Sequence, residues 1–168
     1  SNKNADFNNS DLIYPMPSSV KVFDANLDGY TDQFYIVDMV GQVWRFDINH
    51  NSASFANALT GGVIADLRDP TATQEPLRFT NSPDLSLVNI NQSIKLAIGV
   101  GSGRINEPLK IDQVKNDRFH MVFASDPFNA PMNYTKAELS DLTAIDPTTT
   151  TSSLSQQGWY LPFSSSEK

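Results

Sequence analysis

The sequence predicts an all-β domain with one short helix, made of short strands joined by many turns. Three observations carry this reading. Runs of β-branched and aromatic residues recur, as in Gln33–Asp38 (QFYIVD), Gln42–Ile48 (QVWRFDI) and Ile94–Val100 (IKLAIGV). Ten prolines, eight glycines and abundant Asn, Ser and Thr supply turn chemistry between them. No βαβ alternation is visible, which leaves a propeller or a sandwich.

Residues 1–19 read as an extended lead-in or a cloning remnant, with the prolines of Tyr14-Pro15-Met16-Pro17 holding it extended. The domain proper covers 20–168. Val20–Phe23 is a short strand that runs into an acidic loop at 24–32. Gln33–Asp38 and Gln42–Ile48 pair as a hairpin about a turn at Met39-Val40-Gly41. In the second of these strands Val43, Arg45 and Asp47 share one face, and Trp44, Phe46 and Ile48 the other. The second face is uniformly apolar and is expected to be the core side.

A polar loop over 49–57 leads to a helical turn through Ser54–Leu59. Strands are expected at Gly62–Leu67, Leu77–Thr80, Leu85–Ile90 and Ile94–Val100, the last ending in Gly101-Ser102-Gly103. After a long polar loop, Arg118–Ala124 has β character. Leu139, Leu142 and Ile145 recur at three-residue spacing, so the one helix is placed over Thr135–Ile145. Thr148–Ser155 is a Thr/Ser-rich linker, and the last apolar segment is Gly158–Phe163.

A chain of 168 residues can bury one good core. Its formal charge of −7 and the lack of any Lys/Arg cluster argue against nucleic acid or an anionic membrane as partner. No apolar run is long enough for a transmembrane helix, and Ser1–Ser10 lacks the pattern of a signal peptide. The absence of cysteine removes disulfides, thiolate zinc sites and Cys nucleophiles. His50 and His120 are too few for a zinc cluster, and no G-x-S-x-G elbow supports a catalytic triad. Gly99–Gly103 lacks the Gly-Lys-Ser/Thr ending of a phosphate cradle. No enzyme is therefore expected. Trp44, Phe46, Trp159 and Tyr160 are assigned to core packing over a sugar platform.

The segment that carries chemistry is Asp24-Ala25-Asn26-Leu27-Asp28-Gly29-Tyr30-Thr31-Asp32, a D-x-N-x-D-G-x-x-D pattern. A hard cation such as Ca2+ takes six to eight oxygens, and a curled loop aims side chains one, three and five at a single point. The predicted ligands are Asp24, Asn26, Asp28, the Tyr30 carbonyl and Asp32, with Gly29 permitting the sharp turn. Packed carboxylates repel one another at low effective dielectric, which is the reason to expect a cation. The bland alternative is an Asx-rich turn. A helix-loop-helix calcium hand ends in Glu at position twelve, where this chain has Tyr35 within a strand. The expected affinity is accordingly modest, on the order of 10⁻⁶ to 10⁻³ M.

Tyr14–Pro17, this loop, Phe34–Asp38 leading to Gly41–Asp47, Arg78-Phe79 with Pro83-Asp84, Gly101-Ser102-Gly103 and Gly158-Trp159-Tyr160 keep one order along the chain. In that order they resemble the C-terminal domain of PilY-type type IV pilus biogenesis proteins. The resemblance implies a partial, modified β-propeller of two to three blades over 20–168, exported and held at the cell surface, pilus, outer membrane or periplasm of a Gram-negative bacterium. It implies a non-enzymatic, calcium-binding assembly factor or adhesin, with pilins, minor pilins or a host surface ligand as partners. A propeller cut short leaves strand edges open, so pairing between chains is expected. No Arg-Gly-Asp tripeptide is present. The alternatives are a calcium-stabilised propeller module that binds carbohydrate and a purely structural domain.

Overall fold

The protein is described by a computed structural model covering residues 7–70, 77–103, 117–146, 148–150 and 154–163. Its strands in chain order are β1 (Lys21–Phe23), β2 (Gln33–Val37), β3 (Gln42–Ile48), β4 (Leu59–Asp66), β5 (Asp84–Ile90), β6 (Ser93–Gly101), β7 (Arg118–Ala124), β8 (Ala137–Glu138), β9 (Thr143–Ala144) and β10 (Gly158–Pro162). They form two mixed sheets, ordered β1-β2-β3-β4-β8 and β5-β6-β7-β10-β9. Each sheet is a four-stranded antiparallel set with one two-residue strand added in parallel at its edge. The described residues form no closed barrel.

The hairpin of β2 and β3 has the expected register, with Phe34 opposite Phe46 and Val37 opposite Val43. Its core side does not follow the expected pattern. Both faces are buried, and the larger core lies on the Val43 side. There Tyr35, Val37, Val43, Ala65 and Leu67 meet Leu96, Ile98, Val100 and Val122 of the second sheet. The apolar Trp44 face forms a smaller cluster with Ile36, Phe46 and Val63, covered by Phe7 and Met16 of the lead-in. Phe46 stacks on Phe34 at 4.6 Å and meets the edge of Phe7 at 5.3 Å. Residues 7–19 carry no strand or helix, turn at Asn9–Ile13, and lay Phe7 and Met16 on that sheet face.

Two expected elements take another form. Thr135–Ile145 is not an α-helix but β8, a 3₁₀ turn at Leu139–Asp141, and β9. The three-residue spacing of the leucines matches a 3₁₀ turn, and it buries Leu139 and Leu142. Reciprocal bonds between Glu138 and Asp141 close that turn at once. Leu77–Thr80 is no strand: Phe79, fully buried, gives its N–H to the Met39 carbonyl at 3.2 Å without a ladder. The helical turn near residue 55 is a 3₁₀ turn at Phe55–Asn57.

Candidate metal centre

The acidic loop joins β1 to β2, and backbone pairing closes its neck. The Asp32 N–H reaches the Phe23 carbonyl at 3.1 Å, and the Asp32 carbonyl accepts the Ile48 N–H at 2.7 Å. Inside the neck the side chains named from sequence curl the backbone around themselves. Asp24 accepts the Leu27 and Gly29 N–H groups at 2.7 and 2.8 Å through its two oxygens. Asn26 Oδ1 accepts the Asp28 N–H, and Asp28 Oδ1 accepts the Tyr30 N–H, each at 2.9 Å. Asp32 Oδ2 takes the Ala25 N–H at 2.8 Å and the Asn26 N–H at 3.3 Å. Gly29 sits at φ +92°, which an L side chain rarely adopts.

The four predicted side-chain ligands are therefore brought to one loop and turned inward. Among the described residues, however, no three His, Cys, Asp or Glu side chains meet as a metal-holding group. The donor chemistry still fits a hard cation. A carboxylate oxygen that accepts one amide retains a second lone pair, and Asp32 Oδ1 lies 3.6 Å from His50 Nε2 and accepts no hydrogen bond among the described residues. The same His50 nitrogen lies 2.9 Å from the Thr31 carbonyl, so its N–H is held at the loop's rim.

Directly beneath the loop lies a buried polar network with no counterpart in the sequence expectations. Arg45, 2% exposed, donates from Nε and its terminal nitrogen to Asp47, 5% exposed, at 2.7–3.1 Å. Burial works against the guanidinium charge, but the Asp47 carboxylate outweighs it and holds the Arg45 pKa above its ordinary value. Arg45 also donates to the Asp126 and Asn129 carbonyls, and the Tyr134 hydroxyl donates to Asp47 at 2.7 Å. Gln33, opposite Asp47, donates to the Pro127 carbonyl at 2.8 Å and accepts the Tyr35 hydroxyl at 2.7 Å. Burial raises the pKa of both tyrosines. The network straps the segment 126–134 against the first sheet. Its sequence signal was Arg45 and Asp47 two residues apart on one strand face, the same signal a solvated face would give.

The crystal structure of the Pseudomonas aeruginosa PilY1 C-terminal domain matches this arrangement with a TM-score of 0.59, over 86% of this chain and 38% of that one. The fold is that of a part of the PilY1 C-terminal domain. Sequence identity over the match is 19%, and the chain spans about 38% of the solved PilY1 domain. No family model and no curated protein matches the sequence. Aromatic residues follow the core assignment where they are deepest: Trp44 is fully buried, and Trp159 is partly buried with its ring 5.9 Å from that of Phe119.

Proposed function

We propose that this chain is a non-enzymatic, calcium-binding segment of a type IV pilus assembly factor or adhesin. It would form two blades of a modified propeller, exported to the surface or periplasm of a Gram-negative bacterium. The observation that carries the proposal is the 24–32 loop, whose four ligand-type side chains turn inward on the PilY1 fold. Bound Ca2+ supplies positive charge that relieves repulsion among Asp24, Asp28 and Asp32. The residues themselves set the readout. Because the Asp32 backbone pairs with both Phe23 and Ile48, fixing the Asp32 side chain fixes the neck between β1, β2 and β3. Calcium level is thereby coupled to the packing of the first sheet and to the surface it offers to pilins.

Calorimetry with millimolar calcium tests the first step, and absence of both heat and any Tm change would sink it. The pilus role is tested by placing Asp24→Ala in the full-length protein of the source bacterium and counting surface pili. Altered piliation at unchanged protein level is expected. Calcium binding with unaltered piliation and surface attachment would reduce the loop to a structural staple.

A further inference from the structure

A second site lies beside the Arg45–Asp47 network, where the two sheets part around a cleft of about 410 Å³. That volume falls within the range of small-molecule pockets. Ile64 of β4 lines one side, Val122 of β7 the other, and Gln156 and Gln157 reach its lining from the chain before β10. Lys95 of β6 is also on the lining and is 9% exposed. Its ammonium donates to the Gln156 carbonyl at 2.7 Å and, among the described residues, has no carboxylate partner. The other two cations on the lining are already neutralised, Arg45 by Asp47 at 2.7 Å and Lys136 by Glu138 at 3.0 Å. Asp126, the one acid among the lining residues, is exposed and makes no ion pair with Lys95.

This part-buried ammonium has one acceptor among the described residues, which leaves two of its three N–H donors free to take a ligand. On the same lining, the exposed side chains of Asn133, Gln156 and Gln157 carry amides without hydrogen-bond partners among the described residues. Each such amide can donate and accept, which suits hydroxyl groups that do both. The geometry points to a binding site for an acidic sugar, its carboxylate on Lys95 Nζ, its hydroxyls on the three amides and its apolar face on Ile64 and Val122. This site is independent of calcium, and it gives the chain a ligand class that the acidic loop does not.

The test is a titration of the 168-residue chain with D-glucuronate, D-glucose and N-acetylaspartate, followed by amide NMR. Glucuronate is expected to shift the Phe123 and Gln157 amides saturably, since these residues are joined across the cleft lining by a 2.9 Å bond. Glucose should bind at least about tenfold more weakly, the loss of a charged hydrogen bond. Lys95→Met should weaken glucuronate by a similar factor and leave glucose unchanged. Equal binding of glucose, unaltered glucuronate binding in Lys95→Met, or no saturable shift at tens of millimolar would overturn the proposal. N-acetylaspartate binding as tightly as glucuronate would overturn the assignment to a sugar. Should Lys95→Met fail to fold, the comparison of glucuronate with glucose on the native chain decides.

Discussion

Strand β2 has an aspartate-led turn at each end, and the two turns solve opposite problems. Beyond its last residue, Asp38 is 1% exposed and accepts the Val40, Gly41 and Gln42 N–H groups at 2.9–3.1 Å, with the Trp44 indole N–H at 3.4 Å. One carboxylate there is consumed by one tight turn. Before its first residue, three carboxylates share the 24–32 loop, Asp28 exposed and Asp24 and Asp32 half-buried, and accept the loop's own amides. The first turn is complete as it stands. The second carries an excess of negative charge, and that excess is what separates a cation site from an Asx turn.

The largest expected effect probes what the acidic loop rests on. Arg45→Met leaves Asp47 buried and uncompensated, at a cost of about 3–5 kcal/mol, read by urea unfolding. A cost below about 1 kcal/mol would show that the loop end of β2 does not depend on the network. Next, Asp38→Ala strips acceptors from the buried turn and should cost about 3 kcal/mol. Asp24→Ala, without calcium, should cost less than about 1 kcal/mol. Equal losses at the two turns would erase the distinction between them.

As proposed, bound calcium would close most of that gap. At 100 times its Kd it should stabilise the native chain by about 2.7 kcal/mol, and by nothing in Asp24→Ala. Differential scanning calorimetry at several calcium levels reads both. The smallest effect lies in pH. Burial raises the Asp38 pKa above 3.8 despite its four hydrogen bonds. The folded state then favours the protonated form, so the Asp38 contribution is greatest below pH 3.8 and declines as pH rises through the elevated pKa. The proposed calcium increment runs the other way, because its ligands must be ionised to bind. Asp38→Asn should flatten the first trend alone, and Asp28→Asn should weaken the second alone.

Much of this was legible in the residues because it is local. The curl of the 24–32 loop, the hairpin about Gly41 and the apolar run of β6 each depend on neighbours in sequence. The faces of β3 were not legible, since alternation shows that two faces differ and not which is covered. Arg45 and Asp47 looked like a solvated face because their partners, Asp126, Asn129 and Tyr134, lie about eighty residues away. Leu139, Leu142 and Ile145 suit a helix or a 3₁₀ turn equally, and the choice was made by the parallel pairings at Ala137 and Thr143. The Lys95 cleft has no sequence signature at all.

Those parallel pairings have a consequence for how the molecule assembles and how it bears load. Between β7 and β10 the chain leaves the second sheet, adds β8 to the first beside Ala65, and returns as β9 beside Trp159. This segment is a stitch that passes through both sheets, with only two paired positions at each anchor. Its contact with β4 spans a long stretch of sequence, so it closes after the two antiparallel sets have formed. Under tension that draws the sheets apart, these two-residue pairings should slip before the 126–134 strap held by Gln33, Arg45 and Asp47. The join between the sheets then acts as a mechanical fuse, yielding before either sheet unravels.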